Sequence, residues 1–477
     1  MNGAVESDER LLMLRSVHLE NFRCFGEFLL SFNTNGRCLY RYANEGETPE
    51  RCQVGPLTVL LAKNGKGKTT VLDSIRILLH PYVNEFIKGA SVHAYASDLH
   101  IVEDESSGHL EEVDALRVGA YVEMLGNVVP CSRTLLNGGR KTTTKDVGDL
   151  LDFAVSIRDA RKVRRENQPW PLVAFYGTGR LWATKKGQNR SDLTKTDIFG
   201  YEGCLEQVHD FRSVRDWLTK AVKKVRQEKT ESLKPDLRVA EQYEVVRNAL
   251  SLVLQEEGYM AELSVNVDTD ELDILSLTPR GRVHVPVSGL SDGVKAVFSL
   301  VADIALRCAR LNPCYRTDAA RLTEGVVMID EVDLHLHPSW QQVILSTLQR
   351  AFPRLQFIVT THSPQVVSSV PRECVRILTE DGGCSLAEIP TEGSTSAEIL
   401  TDVFGVSARI PAEISEVTHL IGRYGRLLDE GRWDSEEGVA CWGRLKELIP
   451  MTPIISELEM ERHMRAYERA HPDEDNS

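Results

Sequence analysis

No stretch of this sequence is apolar for long enough to cross a bilayer. Its strongest runs, such as Val326 to Ile329 and Ile358 to Val359, fall far short of the roughly 18 residues a transmembrane helix needs. The ten cysteines, at 24, 38, 52, 131, 204, 308, 314, 374, 384 and 441, form no C-x-x-C pair and show no zinc-ligand spacing. They read as reduced thiols, mostly core filler. The opening residues, Met1 to Glu9, are acidic where a secretory signal is basic and then apolar, which predicts a cytoplasmic chain. Cationic residues are in the minority: 56 Lys+Arg stand against 70 Asp+Glu, a net charge of −14 with histidine neutral. That balance excludes a protein coated in basic surface and leaves room for a local patch that meets nucleic acid. With 19 prolines, 33 glycines and 42% hydrophobic residues, disorder as the main state is excluded as well. A length of 477 residues allows up to about three domains, or one large α/β unit with insertions.

What is present begins at Leu14, from which apolar and polar residues alternate to Arg23 with the period of a half-buried strand. A second run, Leu57 to Leu61, is apolar almost throughout, as a strand buried on both faces of a sheet is. It leads into Ala62-Lys63-Asn64-Gly65-Lys66-Gly67-Lys68-Thr69-Thr70, after which Val71, Leu72, Ile75, Leu78 and Leu79 recur at helical spacing. Strand, glycine-containing turn and helix in that order build a nest of backbone N–H groups, backed by the helix dipole, for the phosphates of ATP. Asn64, Gly65, Lys66, Gly67, Lys68, Thr69 and Thr70 are the expected binding set. Lys68 is placed to reach phosphate oxygens and Thr69 to offer its hydroxyl to Mg²⁺. Ala62 replaces the usual first glycine, a mild departure because Gly65 and Gly67 lie nearest the phosphates.

A second anchor lies about 260 residues further on, at Gly325-Val326-Val327-Met328-Ile329-Asp330-Glu331. An apolar strand ending in two acids delivers carboxylates to the edge where α/β sheets place ligands. Asp330 is the candidate to hold Mg²⁺, and Glu331 to orient and deprotonate an attacking water. Acidic pairs also open ordinary helices, so the continuation decides: Val332-Asp333-Leu334-His335-Leu336-His337-Pro338-Ser339-Trp340-Gln341, then a strand Gln356 to Thr361 ending in His362-Ser363-Pro364.

This succession resembles the ATP-binding-cassette ATPases, in the soluble branch that includes the RecF, SMC and overcoming-lysogenization-defect families. Asn21-Phe22-Arg23, Asn64-Gly65-x-Gly67-Lys68-Thr69 and Leu336-His337-Pro338 carry the resemblance, over about 11–135 and 270–390. It implies an α/β ATPase head with mixed and parallel sheets, Arg23 among the nucleotide-binding residues, Asp333 as the D-loop acid and His362 as the switch histidine on the γ-phosphate. The signature loop falls on Leu290-Ser291-Asp292-Gly293, which keeps the serine and second glycine of the family's Leu-Ser-Gly-Gly. Read alone, Ser291 is a helix N-cap. In the family that serine, with Gly293, faces ATP held by a second copy, which implies dimerisation of heads around ATP. No glutamine stands at the place of the family's Q-loop.

The expected division is an N-terminal lobe 1–135, a mostly helical insertion 136–270 with one returning strand, a C-terminal lobe 271–390 and a helical region 391–477 for oligomer or partner docking. In the insertion, Pro171 to Tyr176 is the returning strand, with Arg180 near the nucleotide. Nine Lys/Arg lie in 212–238 against four acids. Two readings fit: a solvated helical face over the stripe Val214, Trp217, Leu218, Ala221, Val222 and Val225, or a nucleic-acid backbone contact. Long heptad arms are absent. So are the acids of a Toprim nuclease domain, and the chain is expected to cut no nucleic acid itself.

With a short helical insertion and a helical C-terminus, the sequence looks like the ATPase subunits, PtuA, of Septu anti-phage defence, to which ATPases of some retrons are related. That likeness implies a separate HNH nuclease partner of the PtuB kind, and in retrons a reverse transcriptase with its DNA–RNA product, msDNA. No membrane is involved in either case. The alternatives are a RecF-like DNA-repair clamp and a scaffold that hydrolyses ATP very slowly.

Overall fold

A computed structural model describes residues 10–41, 50–88, 92–103, 110–139, 141–164, 168–181, 197–207, 211–231, 236–255, 258–278, 281–379, 382–406, 416–450 and 452–470. Its centre is a six-stranded sheet in the order Leu172–Tyr176, Gly325–Ile329, Leu355–Thr360, Leu57–Leu61, Val375–Leu378, Cys384–Ser385. The first five strands run parallel, and the last returns antiparallel as a hairpin. Every residue of the first four is buried, which is why they read as nearly continuous apolar runs rather than alternations. Because they share one direction, their C-terminal ends bring the phosphate loop, the acidic pair and the switch histidine to one edge.

The helix Lys68–Asn84 follows the loop and presses Val71, Leu72, Ile75, Leu78 and Leu79 into the core. A four-stranded antiparallel sheet, Phe25–Ser31, Met13–Phe22, Ala115–Met124, Asn127–Leu136, packs near it. The first strand does not alternate strictly. Its pairing with Ala115–Met124 slips between Leu14 and Ser16, so the buried apolar set is Met13 and Leu14, then Val17, Leu19 and Phe22. An extra residue on one strand of a pair shifts the phase of inward-facing side chains in this way.

Helices Gly148–Arg164, Phe211–Thr230 and Leu237–Leu254 fill the middle of the chain. Among the described residues, the stretch expected to hold one strand has two, Leu172–Tyr176 and Tyr259–Val265. Tyr259–Val265 pairs with Leu272–Thr278, which pairs with Gly281–Pro286 in a three-stranded sheet, so the expected boundary at 270 runs through this sheet. The missed signal was the alternation of Ala261, Leu263 and Val265, all buried. Directly after the third strand comes the signature loop, and then the helix Asp292–Leu311, nearly all of which is buried.

Contacts divide the chain into two units, Met1–Ile399 and Leu400–Ser477. The second is helical: Glu416–Asp429, Glu436–Leu448 and Pro453–Ala470 close over Tyr424, Leu427, Leu428, Trp433, Trp442, Leu445, Ile455 and Leu458. Tyr424 stacks on Trp442 with centroids 4.8 Å apart. Among the described residues, no helix is long and apolar enough to cross a membrane.

Candidate nucleotide site

Gly65 and Gly67 both take positive φ, 77° and 91°, a conformation that side chains with a Cβ avoid. At Gly67 a Cβ would also collide with the Phe25 ring and lie 2.8 Å from Cys24 Sγ. Only glycine lets the loop pass beneath the turn at 23–25. Helix Lys68–Asn84 then begins with Gly67 as its cap and no side chain bonded to its first N–H groups, which leaves those donors facing the loop.

Lys68 is 7% exposed, and its Nζ donates to the carbonyl of Ala62 at 3.0 Å. Burial lowers its pKa, an effect opposed by Asp330, Glu331 and Asp333. Thr69 and Asp330, 261 residues apart, meet directly: Thr69 Oγ1 donates to Asp330 Oδ2 at 2.9 Å. Asp330 Oδ1 accepts from Thr360 Oγ1 at 2.6 Å, and the Asp330 N–H donates to the Tyr176 carbonyl at 2.8 Å. Both carboxylate oxygens are thus fixed, at 3% exposure.

Glu331 is half-buried with a positive φ of 48°, and its N–H donates to Thr360 Oγ1 at 2.7 Å. One threonine therefore holds both acids, giving a proton to the first and accepting one from the backbone of the second. Its neighbour does the same for the third: Thr361 Oγ1 donates to Asp333 Oδ1 at 2.5 Å. His362 follows, half-buried. Burial lowers its pKa, and the charge of Lys68 adds to that, against Asp333, Glu331 and Asp330. The imidazole is therefore neutral near pH 7 and can donate through one nitrogen while accepting through the other.

Ser291 and Gly293 lie elsewhere, at the start of the helix Asp292–Leu311. Ser291 caps it, accepting from the Val294 N–H at 3.4 Å. A Cβ on Gly293 would lie 2.5 Å from the His335 carbonyl, so the signature helix abuts the turn that follows Glu331. Arg23 does not present a free charge to the loop. Its Nε donates to Asp98 Oδ1 at 2.8 Å and an Nη to Asp73 Oδ2 at 2.7 Å, which fixes the turn that lays Cys24 and Phe25 on Gly67. Asn64 and Gly65 are exposed on the loop, Lys66 is half-buried and Thr70 is buried. The side chain of Arg180 lies outside the described residues.

Two AAA-domain families match the chain: one over residues 16–251, and one whose description adds the AbiEii toxin of a Type IV TA system over residues 204–368. "Retron Ec83 probable ATPase" of Escherichia coli is 24% identical over 96% of this chain and 88% of that protein. "Retron Vc95 probable ATPase" of Vibrio cholerae is 25% identical over 79% and 80%. "Septu protein PtuA" of Bacillus thuringiensis is 30% identical over 35% of this chain and 42% of that protein. The chain is an ATPase related to the retron ATPases and to PtuA. Among solved structures, the SMC head domain from Thermotoga maritima is 18% identical with a TM-score of 0.41, over 80% of this chain and 99% of that one.

Sequence spacing missed the residues that hold this ATPase's acids in place: Thr360, Thr361 and the carbonyl of Tyr176. Two adjacent threonines just before the switch histidine were the available signal. Gln341, in the Leu-His-Pro-x-Trp-Gln string, braces the same edge by accepting from Ser363 Oγ at 2.7 Å and donating to the Leu336 carbonyl at 2.9 Å. In the basic stretch, Lys223 pairs with Asp270, Lys224 with Asp236 and Arg238 with Asp197. Beneath them Val214, Trp217, Leu218, Ala221 and Val222 are buried and Val225 is half-buried. At these positions the stretch is an ion-paired face over an apolar stripe.

Proposed function

We propose that this ATPase is the nucleotide-driven regulatory subunit of an anti-phage defence complex. One observation carries the reading: the Escherichia coli retron ATPase aligns along 96% of this chain and 88% of its own length. The likeness therefore takes in far more than the phosphate loop and acidic pair that unrelated nucleotide-binding proteins share.

In this reading Asn64 to Thr70 cradle the phosphates of ATP, and Lys68 Nζ exchanges the Ala62 carbonyl for phosphate oxygens. Thr69 and Asp330 are the residues that would hold Mg²⁺, whose charge offsets that developing on the phosphates. They fit it: two hard oxygens side by side suit a cation that keeps most of its waters. Glu331 orients and deprotonates the attacking water, neutral His362 reaches the γ-phosphate, and Asp333 holds the turn between them. Arg23 acts by shaping the turn over Gly67. Ser291 and Gly293 of a second copy complete each site, so the working form is a homodimer or higher oligomer closed around ATP. A separate HNH-type nuclease, PtuB-like, is the effector, and this chain carries no nuclease centre of its own. In a retron setting the reverse transcriptase and its DNA–RNA product join the complex. The 400–477 unit is the docking place for a partner.

Affinity purification of the chain expressed with its native gene neighbours tests this. A small HNH protein in fixed ratio is the expected result, with a DNA–RNA hybrid if a retron is involved. An ATPase that purifies alone and associates only with added DNA contradicts it and favours the repair clamp.

A further inference from the structure

The edge strand Leu172–Tyr176 makes a buried contact that the chemistry above leaves unused. Tyr176 is fully buried, and its hydroxyl donates to Asp303 Oδ2 at 2.8 Å. The same oxygen accepts from Arg307 Nε at 2.7 Å. Arg307 Nη1 in turn donates to the carbonyls of Gly200 at 2.8 Å and Glu202 at 3.1 Å. Burying a carboxylate and a guanidinium is costly unless each is well paired, and here both are. The cluster is therefore stiff: moving one member leaves a buried charge or hydroxyl without its partner.

Its position gives that stiffness a consequence. Tyr176 touches Asp330 through its backbone carbonyl and the helix Asp292–Leu311 through its side chain. That helix bears Ser291 and Gly293 on its first turn and meets the acidic turn a second time, where Gly293 abuts the His335 carbonyl. Gly293 and Asp303 are about 15 Å apart along the helix at its regular rise. Two anchors at that spacing prevent the helix from shifting or tilting without moving Asp330 and the turn behind it.

We propose that the buried Tyr176–Asp303–Arg307 cluster couples the two nucleotide sites of a head dimer by tying each chain's signature helix to its own Asp330. The inference rests on the composite-site reading above. There, one chain's signature helix bears on its partner's nucleotide, whereas its Asp330 serves its own. Closure on the partner's phosphate draws the helix forward, and through Asp303 and Tyr176 it sets Asp330 in the chain's own site. ATP bound at either site thus favours the competent geometry at both, which is read out as positive cooperativity. Tyr176, Asp303 and Arg307 are positioning residues that touch no nucleotide.

Tyr176→Phe is the test, because it keeps the ring and the backbone carbonyl and leaves Arg307 paired with Asp303. In the full chain, a five- to tenfold coupling, at the low end of known values, gives a Hill coefficient for ATP hydrolysis of about 1.4–1.5, which should fall to about one in the variant with a lower kcat. ATP affinity by calorimetry should fall only about two- to threefold, the share of that coupling which falls on the binding midpoint. An unchanged Hill coefficient and kcat overturns the inference, as does a wild type without cooperativity. If Tyr176→Phe fails to fold, the double variant Asp303→Leu with Arg307→Met replaces it: it removes the acceptor for Tyr176 together with both buried charges. Retained cooperativity there overturns the inference equally. Failure of the composite-site reading shows separately, as the inability of two differently disabled copies to complement one another.

Discussion

Thr360 shows how little chemistry spacing alone reveals at the residue scale. Lys68, Thr69, Asp330, Glu331 and His362 could be named from the sequence because each occupies a fixed offset from a glycine loop or a strand end. The hydroxyl that holds Asp330 and Glu331 together could not, since its role depends on which strand lies beside which. Arg23 illustrates the reverse: the residue was found, but its charge is committed to Asp73 and Asp98. Two predictions belong to this scale. Glu331→Gln should keep ATP binding and slow hydrolysis by about 10²- to 10⁴-fold, the usual worth of a positioned base. Steady-state turnover beside calorimetric affinity checks this, and unchanged turnover removes Glu331 from that role. His362 should titrate below the ordinary imidazole value, because burial and Lys68 outweigh the three acids around it. Its folded pKa is depressed, so the stability it contributes is complete above the ordinary value and is lost as pH falls through the folded one. An NMR titration assigned with His362→Gln measures the midpoint, and a midpoint at or above the ordinary value contradicts the placement.

At the scale of elements, strands buried on both faces were readable because a nearly continuous apolar run such as Leu57 to Leu61 allows few other placements. Helices with a clear apolar stripe, Lys68–Asn84 among them, were readable from their 3.6 period. The sheet spanning Tyr259 to Pro286 was harder, because the short alternation Arg282-Val283-His284-Val285 marks no buried face: the strand Gly281–Pro286 is exposed or half-buried throughout. The register slip near Arg15 was hidden too, since it depends on the partner strand. The phosphate loop carries the prediction at this scale. Gly67→Ala places a Cβ at a φ of 91° and against Phe25, so the loop and the 23–25 turn cannot both keep their places. ATP affinity should fall at least tenfold while the thermal midpoint drops by only a few degrees, since a strained φ costs about 1–3 kcal/mol. Wild-type affinity by calorimetry would show that the loop does not hold the phosphates.

For the whole molecule, one sheet edge gathers the phosphate loop, three acids, two threonines and the switch histidine, while the signature sits at the head of a separate helix against His335. The residues named for one nucleotide thus fall into two groups, as the proposal of a site shared between copies requires. The likeness to the Escherichia coli retron ATPase runs along 96% of this chain. The two-unit division follows from contacts among helices and was visible in the sequence only as a change to helical spacing beyond about 390. Co-expression of a Lys68→Ala chain with a Ser291→Arg chain, under different tags and purified through both, tests the shared site most directly. Each variant alone should be inactive. The mixed assembly should regain ATP hydrolysis, because one of its sites combines an intact loop with an intact signature. A mixed assembly as inactive as its parents would contradict the account.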